Sequence, residues 1–354
     1  MRSHCLIVVT SLSLCAQIKA DEPGKKYAVI TPKNNGIVAT GINGRGEIVG
    51  FEWVEDKKIA DVLNEAPIFA QGKKITYLPL LEGYTATFPA AVSDDGVIVG
   101  RAGKPAPPNV RVPLRNQGFV WDAKTGMRGL GVLEGDVTSA ACGITRDGRR
   151  ICGWSLGDNR MRACVWDRAD ATWKAVALPM HAQLGSPHVA ISDNGKQVAS
   201  IDGTVACLWT QDAGGKWSRQ VISRPGALAP RSVNNSGMVA GVRSDRDGRT
   251  HAIIHSRETG YKQLQEPEGY VSSQANAVNN DGIVVGQMDG PGGSQIGPSA
   301  FVYESGRLRI LDEGGSQFTA ATAINNRGEV AGVFEVDEDK AQGNARKPQS
   351  KKAK

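Results

Sequence analysis

The chain has 354 residues, of which 40% are hydrophobic and 22% are charged, as in a soluble globular protein with a sizeable core. The formal net charge is +6, but residues 340–354 hold six basic residues and no acid, and residues 1–20 hold two more basic residues. Residues 21–339 therefore carry a net charge of −2, and this part of the sequence has no basic excess of the kind that a nucleic-acid-binding surface needs. We expect a disordered basic tail over 339–354 and no nucleic-acid partner.

The first 20 residues have the pattern of a secretory signal peptide. A basic start with Arg2 precedes an apolar stretch, 5–16, that is too short to span a bilayer, and Ala20 suits the last position before cleavage. A lipoprotein box at Cys15 and an uncleaved N-terminal anchor are the alternatives. We therefore predict a secreted protein, extracellular or periplasmic, whose mature chain has no transmembrane anchor.

A hairpin motif recurs seven times along the chain. Each copy has an apolar residue, then Asn, Ser or Thr, two further residues, Gly, and a run rich in Ile and Val. Asn and Asp favour turns, and Gly takes the positive φ of a type I turn closed by a bulge, so each copy predicts two strands, a and b. The spacing between copies is 42 to 52 residues. The central apolar residues are Ile42, Val92, Ile144, Ile191, Val233, Val278 and Ile324.

A second half-unit lies between the hairpins and predicts two more strands. Strand c is predicted at 67–70, 117–122, 162–167, 205–210, 251–255 and 299–303. Strand d is predicted at 75–78, 127–130, 173–176, 217–221, 261–264 and 308–311. Four short strands per repeat are typical of a propeller blade, and blades must stack to bury both faces. We predict an all-β, seven-bladed β-propeller over 21–338, with the last blade closed by the N-terminal strand 27–30 beside 330–336.

These repeats resemble the HAF-repeat family of bacterial extracellular proteins. The resemblance is carried by the segments starting at His251 (His-Ala-Ile) and Ser299 (Ser-Ala-Phe), and by the turns starting at Val278 (Val-Asn-Asn-Asp-Gly) and Ile324 (Ile-Asn-Asn-Arg-Gly). It covers about residues 27–336. The resemblance implies an exported repeat protein without an established activity, and it supplies no catalytic residues.

The tryptophans of strand c allow two interpretations. The pairs Trp121-Asp122 and Trp166-Asp167 resemble the closing dipeptide of WD40 repeats, which implies the same fold, although the Gly-His dipeptide of that family is missing. With Trp209, these tryptophans share one register, which favours core packing between blades. A ladder of rings that stacks on sugars is the alternative.

The sequence contains no catalytic motif of the nucleophile-elbow, phosphate-loop or dinucleotide-binding type. His251 and His255 lie on one face of a strand, where another repeat has Arg162 and Trp166, so packing or surface roles are favoured over metal binding. The Asp-containing turns lack the acidic spacing of calcium loops. We therefore predict no catalytic residue, no metal site and no cofactor.

Four cysteines follow the predicted signal peptide. Cys142 and Cys152 flank one hairpin, and a cross-strand disulfide between them is possible. Cys164 and Cys207 occupy equivalent positions in neighbouring repeats, and we expect them to be small buried apolar residues.

Two functions remain open at this point. The first is a secreted, monomeric binding or scaffold module for a protein or glycan partner. The alternative is a propeller enzyme, a hydrolase or lyase, whose acids gather at the central channel. The insertions 105–115 and 290–298 are candidates for building a pocket.

Overall fold

The computed structural model describes residues 4–7, 28–29, 37–53, 65–72, 74–104, 116–158, 160–170, 172–182, 188–291, 297–313 and 316–335. The regular elements of these residues are all β-strands, arranged in seven sheets. This part of the chain contains no helix long and apolar enough to span a bilayer.

Six of the sheets are four-stranded antiparallel meanders, each with its strands in the order a, b, c, d. The a strands are β3 (Ile37–Ile42), β7 (Ala86–Val92), β11 (Thr138–Ile144), β15 (Ala190–Ile191), β19 (Ala229–Val233) and β23 (Ser272–Val278). The b strands are β4 (Ile48–Trp53), β8 (Ile98–Gly103), β12 (Arg150–Gly157), β16 (Gln197–Asp202), β20 (Val239–Ser244) and β24 (Val284–Asp289). The c strands are β5 (Glu65–Gln71), β9 (Gln117–Asp122), β13 (Arg160–Ala169), β17 (Val205–Gln211), β21 (Thr250–Ser256) and β25 (Ser299–Glu304). The d strands are β6 (Lys74–Tyr77), β10 (Gly126–Gly129), β14 (Thr172–Ala177), β18 (Trp217–Val221), β22 (Gly260–Gln263) and β26 (Arg307–Ile310). The predicted all-β propeller class and its strands a to d are confirmed.

The hairpin of the seventh repeat, β28 (Ser316–Ile324) and β29 (Glu329–Glu335), belongs to a sheet of different composition. β27 (Asp312–Glu313) pairs with β28, β1 (His4–Ile7) pairs antiparallel with β29, and β2 (Ala28–Val29) pairs parallel with β29. The described residues thus form six complete blades, and the predicted count of seven blades is wrong. The physical reason is that, among the described residues, the further partners of β29 are the N-terminal segments β1 and β2 and not a c–d pair that follows it in the chain.

The predicted closing strand lies beside β29, as expected for its described residues. Ala28 pairs with Glu329 and Val29 pairs with Val330, whereas residues 27, 30 and 336 lie outside the described residues. The pairing of β1 was not predicted, because His4–Ile7 falls inside the predicted signal peptide. The rest of that segment and the predicted tail 339–354 also lie outside the described residues.

Each a–b turn is built around one buried polar side chain. In the sixth repeat, the Asn279 side-chain oxygen accepts hydrogen bonds from the backbone N–H groups of Asp281 (3.1 Å) and Ile283 (3.0 Å). Gly282 has a φ of 78°, so the predicted turn with glycine in the left-handed region is confirmed. The equivalent buried residues are Asn43, Ser93, Thr145, Ser192, Asn234, Asn279 and Asn325.

The same turns hydrogen-bond to one another in a closed ring. The side-chain amides of Asn234, Asn279 and Asn325 each donate to the backbone carbonyl of the equivalent residue in the next repeat, at 2.9, 3.2 and 2.8 Å. The last of these bonds reaches Asn43 and joins the seventh repeat to the first. The remaining junctions are Asn43 to Ser93 O, Asp94 N to Arg146 O, Arg146 N to Asp193 O, and Asn194 N to the Asn235 side-chain oxygen.

We expect Asn279→Ala to lower the free energy of unfolding by about 2 kcal/mol, because it leaves buried backbone groups without partners. Equilibrium unfolding in urea measures the change. Asp281→Ala is the control, since Asp281 is exposed in the same turn and should change the value by less than about 0.5 kcal/mol. Equal changes in the free energy of unfolding for the two substitutions would contradict a stabilising role for the ring of hydrogen-bonded turns.

The core lies between adjacent sheets. Trp166 packs with Val99 and Val120 of the preceding blade, and Trp209 lies in the next cluster together with Cys152. Trp166 and Trp209 are both 0% exposed, which confirms core packing and removes them as rings for stacking on sugars.

None of the four cysteines that follow the predicted signal peptide forms a disulfide in the structure, so the possible bridge between Cys142 and Cys152 is not formed. A β-bulge at Cys142 shifts the register, and Cys152 pairs with Gly143 instead. The Cys152 thiol donates to the carbonyl of Val189 at 3.2 Å. The expected burial of the cysteines of strand c is confirmed, with Cys164 and Cys207 both fully buried.

Candidate functional site: the central channel

Counting β28 of the seventh repeat, six of the seven a strands carry a β-bulge at the same place, two residues before the central apolar residue. A bulge re-aims a side chain, and here it turns that side chain toward the axis of the ring. The bulged residues are Thr40, Ala90, Cys142, Arg231, Asn276 and Thr322, and all six line the central channel together with the equivalent Val189.

A glycine of strand b lies opposite each of these bulges. A Cβ atom at Gly286 would come within 1.9 Å of the carbonyl oxygen of Gln274, and the other five glycines meet the same obstacle at 1.9 to 2.2 Å. The repeat without a bulge, in β15, has Ser200 at this position instead. Each bulge in strand a is therefore accompanied by a glycine in strand b, and the recurring glycine indicates in the sequence where a side chain faces the channel.

At one end the channel widens into a cavity of about 780 Å³, a size typical of small-molecule sites. Its wall includes residues that directly follow the strand-b glycines, namely Phe51, Arg101, Trp154 and Gln287. His188 and the bulged residues complete the wall, so all seven repeats contribute to it. No Asp or Glu side chain is among the described residues that line this wide end.

Two guanidinium groups reach the wide end. Arg101 lies over the ring of Phe88, with its Cζ 4.1 Å from the ring centroid. Arg231 donates from Nη1 to the side-chain oxygen of Asn276 at 3.0 Å. Burial lowers the pKa of Arg101, but a guanidinium remains protonated at neutral pH. Within the described part of the chain, neither group has a carboxylate partner.

The other titratable groups of the wide end are neutral at pH 7. Burial raises the pKa of the Cys142 thiol to about 11, so this side chain is no thiolate nucleophile. Loss of hydration, and then the charge of Arg231, lower the pKa of His188 below its usual value. The wide end therefore carries positive charge from its two arginines.

At the opposite, narrow end, polar side chains bridge the channel. Arg146 donates from Nε to the Asp94 carboxylate at 2.5 Å, and its Nη1 lies 3.8 Å from the Asp193 carboxylate. Asp193 in turn accepts from the side-chain amides of Asn280 (3.0 Å) and Asn326 (2.5 Å). The adjoining section has a volume of about 260 Å³, so the channel narrows from a wide mouth to a polar floor.

The residues that the sequence analysis considered for chemistry lie elsewhere. Both ring nitrogens of His251 face carboxylates, Glu266 at 2.9 Å and Asp245 at 3.3 Å, and neither His251 nor His255 lines the channel. Among the described residues, no three His, Cys, Asp or Glu side chains are grouped as metal ligands. Insertion 105–115 and the central part of insertion 290–298 fall outside the described residues.

No recognised motif marks the channel residues in the sequence. The position two before the central apolar residue reads Thr, Ala, Cys, Val, Arg, Asn and Thr in the seven repeats, whereas the position after it holds only Gly, Ala or Ser. Variation at one position of a regular repeat was the available indication of a binding surface.

The chain matches no protein family model and no curated protein. Its structure is similar to the β-propeller domain of the Trilobed protease from Pyrococcus furiosus, with 10% identity and a TM-score of 0.52 over 86% of this chain and 92% of that chain. It is also similar to a puromycin-hydrolyzing peptidase of Mycobacterium tuberculosis (15% identity, 77% of this chain and 44% of that chain, TM-score 0.49). A third similar structure is TolB from Acinetobacter baumannii (15% identity, 77% and 65%, TM-score 0.45). Identities this low show the fold alone, a β-propeller.

Proposed function

We propose that the protein is an exported binding module of the HAF-repeat type, and that the wide end of its channel holds part of a protein or glycan partner. The observation that carries the proposal is a cavity of about 780 Å³ lined by all seven repeats, to which the bulged position and the position after the strand-b glycine contribute side chains that differ from repeat to repeat. A scaffold keeps its framework constant and varies the side chains that meet the ligand.

The side chains that line the cavity favour a binding function over a catalytic one. Hydrolases and lyases need a positioned general acid or base or an activated nucleophile. The described wall of the wide end offers a protonated thiol at Cys142 and one histidine, His188, but no carboxylate. Asp94 and Asp193 at the narrow end are occupied by Arg146, Asn280 and Asn326.

A blocking variant tests this function. Glycan and peptide arrays first identify the spots that the wild-type protein binds. Ala90 is a bulged residue of the channel wall, so Ala90→Trp should fill the cavity and abolish binding to those spots. Ala169→Trp, at an exposed position of the β13–β14 hairpin, is the matched control and should bind like wild type. Equal binding by both variants would place the partner site on another surface. Cleavage of an arrayed glycan or peptide would favour the enzyme.

A further inference from the structure

The two arginines of the wide end have guanidinium N–H donors that are available to hydrogen-bond a ligand. A guanidinium has five N–H donors in a planar fork. Arg101 stacks on Phe88 and has no described hydrogen-bond partner, and Arg231 has the Asn276 side-chain oxygen on Nη1. Because both groups line one cavity, they can face a single bound group.

The wall around these arginines has no opposing charge. The described lining residues include no acid, and Cys142 is a neutral thiol because burial raises its pKa to about 11. Isolated positive charge in a concave, partly desolvated site attracts an anion more strongly than the same charge on an open surface. An anionic ligand group would also supply the carboxylate partner that the described part of the chain does not offer.

Next to the charges, the wall is aromatic. Phe51 meets Phe88 edge to face, with ring centroids 6.0 Å apart, and Trp154 lines the same cavity. Phe51 and Phe88 are only partly buried by the protein itself, so they can cover a flat apolar group of a ligand. The stack on Phe88 also fixes the plane of the Arg101 guanidinium before a ligand arrives, which reduces the ordering cost of binding.

Building on the binding function proposed above, we propose that the wide end of the channel takes an organic carboxylate with a planar apolar body. The carboxylate lies between Arg101 and Arg231, and the planar body lies against Phe51, Phe88 and Trp154. The shared chemistry is a carboxylate joined to a flat apolar group, whether on a free small molecule or at the aromatic C-terminus of a peptide.

Isothermal titration of the full chain with 2-naphthoate, 2-naphthamide and inorganic phosphate tests the proposal. We expect naphthoate to bind at least about tenfold more tightly than the neutral amide or the phosphate, because only naphthoate offers both the charge and the flat ring. A peptide ending in Phe with a free carboxylate, compared with its amidated form, distinguishes the two sources: weaker binding than naphthoate assigns the site to a small molecule, and tighter binding assigns it to a peptide end.

Single substitutions locate the effect. Arg101→Gln and Arg231→Gln should each weaken naphthoate binding by about tenfold or more, since each removes a charge-assisted hydrogen bond. Arg149→Gln is the matched control, because Arg149 is exposed and does not line the cavity. Circular dichroism of each variant checks that the fold is retained, and Arg101→Lys and Arg231→Lys, which keep the charge, should bind more tightly than the glutamine variants.

Three results would overturn the proposal. They are equal affinities for naphthoate and naphthamide, equal losses in Arg149→Gln and in the two channel variants, and no measurable binding of any probe. None of these results decides the binding function itself, because the array experiment with Ala90→Trp is independent of ligand charge.

Discussion

Gly286→Ala should lower the free energy of unfolding by about 3 kcal/mol, although it adds a single methyl group. The new Cβ atom would come 1.9 Å from the carbonyl oxygen of Gln274 and 2.7 Å from the ring of Phe301. Neither the bulged strand β23 nor the buried ring can move freely, so the pairing of β23 and β24 must distort. Equilibrium unfolding in urea, followed by circular dichroism, measures the loss.

Ser200 provides the matched control, because it occupies the same place in the repeat that has no bulge. Its hydroxyl is buried and has no hydrogen-bond partner among the described residues, so Ser200→Ala should be neutral or slightly stabilising. A loss below about 1 kcal/mol for Gly286→Ala would show that the backbone opposite the glycine yields, contrary to the packing described above.

The second large effect is expected at the core between blades. Trp209→Ala should cost about 4 kcal/mol, because it empties the space of a fully buried indole that packs with Val165 and Val198. Circular dichroism in urea again measures the change without relying on tryptophan fluorescence. Trp209→Phe should cost clearly less, since it keeps most of the ring contact and removes a buried N–H that has no hydrogen-bond partner in the described part of the chain.

Trp217 is the control of the same residue type in the same blade. Trp217 is partly exposed, and the Cζ atom of Arg150 lies 5.5 Å from the centroid of its ring. Trp217→Ala should therefore lower the free energy of unfolding by about 1 kcal/mol. Similar losses for Trp209→Ala and Trp217→Ala would contradict the view that the core lies between the sheets.

Local features of the sequence predicted the blades well, because a blade is a local structure. The turn residues around Asn279 and Gly282 act within five positions, and the register of the strand-c tryptophans follows from alternation along one strand. The closure of the ring could not be predicted in the same way. It depends on which distant segments pair with β29, and β1 and β2 lie more than 290 residues away from it.

The channel was missed for a related reason. A bulge looks in sequence like any other position of a strand, and only the pairing in space shows that Arg231 turns toward the axis and shares a cavity with Arg101. The same feature explains why the possible Cys142–Cys152 disulfide is not formed, because the bulge at Cys142 displaces it from the position opposite Cys152. Comparing the repeats position by position would have pointed to these residues.

The most direct test of the channel as a ligand site is a crystal structure soaked with 6-bromo-2-naphthoate, in which anomalous scattering locates the bromine. We expect one ordered ligand in the wide end, with its carboxylate about 3 Å from the guanidinium nitrogens of Arg101 and Arg231 and its rings against Phe51 and Trp154. Bromine found only on the outer faces of the blades, or a ligand in the channel with its carboxylate turned away from both arginines, would contradict it.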